Sequence, residues 1–280
     1  MDVLNQLLPA SIQKQMELRK LPKPEEVRLR VGQPVMVKIG SEEVILPHVV
    51  SPGELEQVLQ RAGRQSAYAW TEEIRNGYLT VERGHRIGIC GRAVTEQGSV
   101  RNITDLTSLN IRLASEHPEF GRGLASKLQA STLIIGPPGC GKTTLLRTMI
   151  RELSDVCGQT VGVADERGEI AACVHGIPQL NVGMRTDVIT AMDKAQAVMQ
   201  LLRVMAPQWI AVDEITAPAD CSAMETAGNC GVKLLATVHG DTPEDLLRRP
   251  LYDQLRKSRI FSQIIRLKTD KTYEMERWNP

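Results

Sequence analysis

The stretch from residue 132 to residue 144 constrains the fold of this chain most strongly. It reads Thr-Leu-Ile-Ile-Gly-Pro-Pro-Gly-Cys-Gly-Lys-Thr-Thr, an apolar run that fits a buried strand followed by a glycine-rich turn. Gly136, Gly141, Lys142 and Thr143 occupy every fixed position of the pattern G-x-x-x-x-G-K-[ST]. Residues 142–147, which follow the turn, read as the first turns of a helix. The stretch therefore predicts a strand, a phosphate-binding loop and a helix in direct succession.

The residue types of this loop follow from the chemistry of phosphate binding. Glycine lets successive backbone N–H groups turn toward a phosphate, because there is no Cβ in the way. The N-terminus of the following helix adds a partial positive charge. Lys142 is expected to reach the β- and γ-phosphates, and the Thr143 hydroxyl to ligate Mg²⁺. We predict that ATP contacts the whole loop, which comprises Gly136, Pro137, Pro138, Gly139, Cys140, Gly141, Lys142, Thr143 and Thr144.

Composition narrows the classes of protein that this chain can belong to. Aromatic residues make up 3% of the 280 residues, too few for the stacking platforms of single-strand binders, and the net charge of +1 argues against a dedicated duplex-DNA binder. The six cysteines contain no C-x-x-C pair, which argues against a disulfide scaffold or a zinc site and favours a reducing cytoplasm. No apolar run approaches the roughly 20 residues that a membrane span needs, and no secretory signal is visible. We expect a cytoplasmic protein.

Two patterns of hydrophobic residues divide the chain. Residues 1 to 115 mix helical periodicity with short alternating segments, which predicts a smaller α+β domain. Its expected helices cover residues 2–19, a segment starting at Pro52 with Ser51 as N-cap, and a segment through Tyr68 and Ile74; its expected strands cover 25–31, 35–39, 44–46, 78–81, 86–90, 100–103 and 109–113. Residues 116 to 123 read as the junction.

Residues 116 to 280 alternate apolar strands with helices, which predicts an α/β domain with a parallel sheet covered on both faces. The expected strands cover 132–135, 160–164, 209–212, 233–238 and 264–267.

Carboxylates follow two of these strands. Asp213 and Glu214 end the strand that begins at Trp209, and we predict that Asp213 holds the magnesium shell while Glu214 is the general base. Asp165 and Glu166 end the strand that begins at Thr160. Because ligands of open α/β sheets bind at the carboxyl ends of strands, we expect both to face the same site. Glu166 competes with Glu214 for the water-activating role, and Glu169 does so less strongly.

Other polar groups can respond to phosphate charge. Thr237 and His239 lie at the end of the strand that begins at Lys233, and both are candidates to sense the γ-phosphate. Arg185 and Arg203 lie in the sequence between the two acidic strand ends, and either could stabilise the transition state from a neighbouring subunit. Weaker nominees in the N-terminal domain are Arg75, Arg86 and Arg92.

The order of these motifs resembles that of the secretion ATPase superfamily. The resemblance rests on the phosphate loop, the acidic segment 163–167, Arg185, the Leu-Leu-Arg-x-x-Ala-Pro segment before Asp213-Glu214, and residues 224–227 and 236–239. Segments 27–34, 88–92 and 165–170 look closest to the stage III sporulation ATPases of endospore-forming bacteria. Asp213 stands where the superfamily usually has glycine.

The resemblance implies a RecA-like, ring-forming hexameric motor ATPase in the mother-cell cytoplasm, with a peripheral location at the membrane. It would dock on a membrane protein of a sporulation channel between mother cell and forespore. The alternatives are a nucleic-acid-translocating ATPase on the same fold and a nucleotide-gated scaffold that does not hydrolyse ATP.

Overall fold

A computed structural model describes residues 2–63, 77–96, 98–114 and 117–278. The chain separates into two compact units, Met1–Ser115 and Glu116–Pro280. Each unit has its own sheet and its own hydrophobic core.

The N-terminal unit is built on an antiparallel sheet with the strand order β3-β2-β1-β6-β5-β4. Alternation explains its core: Val27 and Leu29 of β1 are buried with helical residues such as Leu8 and Leu55, while Arg28 between them points to the other face. The elements are α1 (Asp2–Leu7), α2 (Ala10–Leu18), β1 (Glu26–Arg30), β2 (Pro34–Ile39), β3 (Glu42–Val49), α3 (Pro52–Gly63), β4 (Tyr78–Val81), β5 (His85–Glu96) and β6 (Ser99–Arg112).

Two predictions for this unit were wrong in detail. The single helix expected over residues 2–19 is two helices, because Pro9 has no N–H to donate and its ring clashes with the preceding turn. The extended segments expected at 100–103 and 109–113 are one strand, β6. The register shifts between Cys90 and Arg92 of its partner strand, which accounts for the interrupted apolar pattern.

The helix predicted from Pro52 begins there. The Glu54 carboxylate, rather than the Ser51 hydroxyl, accepts the capping bonds: the Ser51 backbone N–H donates to it at 2.9 Å and the Ser51 hydroxyl at 3.1 Å. The helical segment predicted through Tyr68 and Ile74 lies outside the described residues.

The C-terminal unit contains the predicted parallel sheet, with the strand order β13-β12-β7-β11-β10-β8-β9. All neighbouring strands are parallel except β13, which runs antiparallel to β12. The elements are β7 (Thr132–Gly136), α4 (Lys142–Asp155), β8 (Val161–Asp165), β9 (Thr186–Thr190), α5 (Lys194–Val204), β10 (Trp209–Val212), α6 (Pro218–Asn229), β11 (Lys233–His239), α7 (Pro243–Leu247), α8 (Asp253–Ser258), β12 (Gln263–Leu267) and β13 (Tyr273–Arg277).

Helices cover both faces of this sheet, as its continuous apolar strands predict. Along β7, Leu133 and Ile135 join the core formed with α5 and α6, while Ile134 joins the core formed with α4. The edge strands β9 and β13 were not predicted. In the described part of the chain, no helix is both long and apolar enough to cross a membrane.

Because β7, β11, β10 and β8 are parallel, their carboxyl ends meet at one edge of the sheet, called here the carboxyl edge. The phosphate-binding pattern follows β7, and the predicted acidic and sensing residues end the other three strands. β11 lies between β7 and β10. His239 is therefore placed between the loop and the Asp213-Glu214 pair.

Candidate nucleotide site

The loop between β7 and α4 is shaped by three of its glycines. Gly139 and Gly141 have φ angles of +75° and +106°, which side-chain-bearing residues rarely adopt. A Cβ on Gly136 would lie 2.6 Å from the Leu267 carbonyl oxygen and 2.7 Å from the Cys140 sulfur, so packing excludes larger residues. The Cys140 thiol is buried, and burial raises its pKa.

The Lys142 amine is held in the centre of the loop. It is buried, and it donates to the carbonyl oxygens of Gly136 at 2.8 Å and Pro137 at 2.9 Å. It also contacts His239 Nδ1 at 2.9 Å. Burial lowers the pKa of Lys142, and the carboxylates of Glu214 and Asp213 oppose that shift. Of the other loop residues, Pro138 is exposed, and Thr144 is half-buried in the first turn of α4.

Asp213 is positioned by neighbours on both sides. Its Oδ1 accepts hydrogen bonds from the Thr237 hydroxyl at 3.0 Å and from the Glu214 backbone N–H at 3.1 Å. The Thr143 hydroxyl lies 3.3 Å from its Oδ2. Among the described residues, no group of three or more His, Cys, Asp or Glu side chains forms a metal cluster. The two predicted magnesium ligands, Thr143 and Asp213, do converge, and both offer the oxygen atoms that Mg²⁺ prefers.

His239 joins Lys142 to Glu214. Its Nδ1 faces the Lys142 amine, which has only donors, so Nδ1 is the acceptor in that contact. The proton of a neutral imidazole then sits on Nε2, which lies 3.2 Å from Glu214 Oε2. The three predicted side chains thus form one chain of polar contacts, in which the Lys142–His239 contact is a hydrogen bond. The Thr237 hydroxyl, the other candidate sensor, is directed at Asp213 instead.

Asp165 and Glu166 are adjacent in the sequence, but their carboxylates have different partners. Both were expected to face the site, and both line one small cleft with Asp213 and Glu214. The buried Asp165 carboxylate also accepts backbone N–H bonds from Glu169 at 2.8 Å, Ile170 at 3.1 Å and Ala171 at 2.9 Å. It therefore holds the loop after β8. Burial raises its pKa, and these three bonds oppose the shift. Glu169 is held in that loop by its carbonyl oxygen, which accepts from Arg147 at 2.6 Å.

Glu166 lines a small cleft with Asp213, Glu214 and Lys194. Lys194 was not identified from the sequence. Its amine is buried, donates to the Glu214 carbonyl oxygen at 2.5 Å and lies 3.5 Å from Glu166 Oε2.

The two nominated arginines of this unit lie away from the loop. Arg185 immediately precedes β9, whose first residue Thr186 pairs with the first residue of β8. A five-residue strand places it roughly 16 Å from the carboxyl edge. Arg203 is in the last turn of α5, about 14 Å along the helix axis from Lys194. Neither reaches the loop of its own chain.

Of the weaker nominees, Arg86 stacks on the Tyr78 ring at 4.9 Å, and Arg92 forms an exposed ion pair with Asp105 at 3.0 Å. Arg75 lies outside the described residues.

Solved structures with related folds include an ATPase and a pilus retraction motor. The Legionella pneumophila ATPase DotB matches with a TM-score of 0.62 and 17% identity, over 96% of this chain and 80% of DotB. The pilus retraction motor PilT, solved with bound ADP, matches with a TM-score of 0.63 and 19% identity, over 96% of this chain and 82% of PilT. At these identities the likeness is one of fold. It confirms the predicted RecA-like class preceded by an α+β unit.

Sequence comparison identifies closer relatives. Stage III sporulation protein AA of Bacillus subtilis (strain 168) is 36% identical over 284 residues, covering 97% of this chain and 92% of that protein. SEEDLING PLASTID DEVELOPMENT 1 of Arabidopsis thaliana is 26% identical over 259 residues, covering 89% of this chain and 35% of the plant protein. The family model described as "Sporulation stage III, protein AA" matches residues 1–275. The chain therefore belongs to the stage III sporulation protein AA family.

Proposed function

We propose that this protein is an ATP-hydrolysing motor that serves endospore formation. The observation that carries the proposal is the convergence of Lys142, Thr143, Asp213 and Glu214 at the carboxyl edge of one parallel sheet. These groups provide a cation for phosphate, oxygen ligands for Mg²⁺ and a carboxylate that can accept a proton.

Each group has a separate task in the proposed reaction. The loop N–H groups and Lys142 bind the phosphates, and Thr143 and Asp213 would hold Mg²⁺. When bound, Mg²⁺ neutralises charge that develops on the phosphate oxygens. Glu214 accepts a proton from the attacking water, and His239 Nε2 orients its carboxylate at 3.2 Å.

Strand order favours Glu214 over Glu166 as the base. Glu214 follows β10, which is two strands from β7, or about 10 Å at ordinary strand spacing. Glu166 follows β8, which is three strands away, or about 14 Å. The carboxylate of Glu214 also contacts His239, whereas the carboxylate of Glu166 contacts Lys194.

The family supports the biological role in this proposal. We place the protein in the mother-cell cytoplasm as a homo-oligomeric ring, a hexamer, docked at the membrane on a protein of the channel between mother cell and forespore. Domain 1–115 moves against domain 116–280 as ATP is hydrolysed. No dedicated nucleic-acid substrate is involved.

Steady-state ATP turnover tests the site. Lys142→Ala should abolish binding or turnover, and Lys127→Ala, at an exposed lysine of the same unit, should keep both. Glu214→Gln should bind a fluorescent ATP analogue like the parent but lose hydrolysis, because an amide cannot accept the proton. The matched control is Glu276→Gln on the exposed strand β13. Normal turnover in Glu214→Gln, with turnover lost in Glu166→Gln, would transfer the base role to Glu166.

Two further assays test the biological role. Sedimentation with membranes should require a cognate membrane protein, and Lys142→Ala should block spore formation after engulfment without preventing that association. The nucleic-acid alternative predicts turnover raised several-fold by DNA and salt-sensitive binding. Strong DNA stimulation without partner-dependent recruitment would refute the proposed role while leaving the fold and the nucleotide site in place.

A further inference from the structure

The Lys194 amine occupies a position that its local sequence does not favour. Lys194 is the first residue of α5, where the helix dipole disfavours a cation. Its N-cap, Asp193, is engaged with the Gln196 backbone N–H at 3.1 Å. The amine is nevertheless buried, and burying a charge is costly unless the charge is paired and hydrogen-bonded. The contacts of the amine must therefore offset this cost.

Those contacts join three segments of the carboxyl edge. The amine donates to the Glu214 carbonyl oxygen at 2.5 Å. It also lies 3.5 Å from Oε2 of Glu166, the residue that follows the neighbouring strand β8. It also lies 3.7 Å from Oδ2 of the buried Asp220 in the first turn of α6, and 3.5 Å from the Thr216 hydroxyl. Asp220 is itself fixed by N–H bonds from Thr216 at 2.9 Å and Ala217 at 3.0 Å.

The peptide groups on either side of Glu214 are consequently held from two directions. The Glu214 N–H donates to Asp213 Oδ1 at 3.1 Å, and its carbonyl oxygen accepts from Lys194. With its carboxylate at His239, Glu214 has polar contacts at its N–H, its carbonyl and its side chain. Of these three contacts of Glu214, the one at its carbonyl oxygen comes from Lys194, at the start of α5.

We infer that Lys194 is a positioning residue for hydrolysis, which fixes the backbone of Glu214 and offsets part of the negative charge of Glu166 and Asp220 beside it. None of these contacts of Lys194 within the described residues is with the phosphate-binding loop, so Lys194 acts through Glu214. The inference rests on the proposed function, because it assigns the base role to Glu214. A misplacement of about 1 Å in a reacting group can lower a rate by roughly 100-fold, so losing this anchor should slow the chemical step.

The test compares Lys194→Met, which keeps the aliphatic stem, with the parent and with Lys257→Met, at an exposed lysine. Single-turnover ATP hydrolysis should fall at least tenfold in Lys194→Met, while the dissociation constant of a fluorescent ATP analogue stays within twofold. Lys194→Arg, which retains a cation and donors, should recover part of the rate. Lys257→Met should match the parent.

A double-mutant comparison separates positioning from general damage. If Lys194 acts through Glu214, adding Lys194→Met to Glu214→Gln should slow residual hydrolysis by less than twofold. The inference would be overturned by any of three results. These are an equal slowing by Lys194→Met in the parent and in Glu214→Gln, a parallel loss of ATP affinity, or a Lys194→Met rate within twofold of the parent. Normal turnover in Glu214→Gln would instead refute the proposed base.

Lys194→Met leaves Asp220 without its cation, and removal of one member of a buried pair can unfold a protein. If that variant does not fold, Lys194→Met with Asp220→Asn removes both charges and is compared with Asp220→Asn alone. The same criteria apply: a tenfold lower rate at unchanged ATP affinity supports the inference, and a rate within twofold overturns it.

Discussion

Thr237→Val tests how Asp213 is oriented. Thr237 is fully buried in β11, and its hydroxyl donates to Asp213 Oδ1 at 3.0 Å. Valine keeps the branched shape that a strand favours and removes only this donor. Partners that orient a metal ligand are typically worth 10- to 100-fold in metal affinity or activity. Because the Glu214 N–H also holds the same oxygen at 3.1 Å, we expect a loss of Mg²⁺ affinity at the lower end of this range, about tenfold or ~1.4 kcal/mol.

The assay is ATP turnover as a function of free Mg²⁺ concentration. The concentration of Mg²⁺ that gives half-maximal turnover should rise about tenfold in Thr237→Val. Thr132→Val is the matched control: Thr132 is also fully buried in the same sheet, but its hydroxyl donates to the Ala130 carbonyl at 2.8 Å. Urea unfolding of both variants checks that each one folds. If both variants show the parent Mg²⁺ requirement, the assignment of Asp213 as a magnesium ligand oriented by Thr237 is refuted.

Three further predictions follow from other groups. Asp165→Asn should lower the free energy of unfolding by about 2–3 kcal/mol, because an amide nitrogen would face a backbone N–H; an unchanged urea midpoint would contradict this. Burial lowers the pKa of His85 to about 4, so the unfolded chain binds the proton more readily than the folded chain. The free energy of unfolding should therefore fall as pH drops from 6.5 toward 4. In His85→Gln, whose side-chain oxygen can accept the Ala114 N–H, the urea midpoint should change less between pH 7 and pH 5. Mixing Arg185→Ala with Lys142→Ala chains should restore some ATP turnover if Arg185 acts on a neighbouring chain, and the absence of recovery would count against that role.

The sequence signals that predicted the fold were local ones. The apolar run of β7, the glycine spacing after it and the apolar strands β10 and β11 can each be recognised without knowing what they contact. β9 and β13 were missed because they are edge strands: β9 is half-buried throughout and β13 is largely exposed, so neither has a continuous apolar pattern.

The arrangement of the site depends on contacts between distant residues. No local pattern places β11 between β7 and β10, and that order is what brings His239 to both Lys142 and Glu214. Lys194 in Asp-Lys-Ala-Gln resembles a solvated surface lysine, and the only available signal was a cation at the unfavourable end of a helix. The different contacts of Asp165 and Glu166 likewise depend on the loop that Asp165 binds.

The position of β7 in the sheet has a consequence for synthesis of the chain. β7 is made before both of its neighbours, since β11 begins at Lys233 and β12 at Gln263. At translation rates of about 5–20 residues per second, the fully buried Thr132–Gly136 segment waits on the order of 5–25 s for both partners. An apolar strand without neighbours is open to aggregation during that time, which makes chaperone capture most valuable there. A chain truncated before Lys233 would retain the complete phosphate-loop motif and still lack β11 and β12, the two strands that pair with β7.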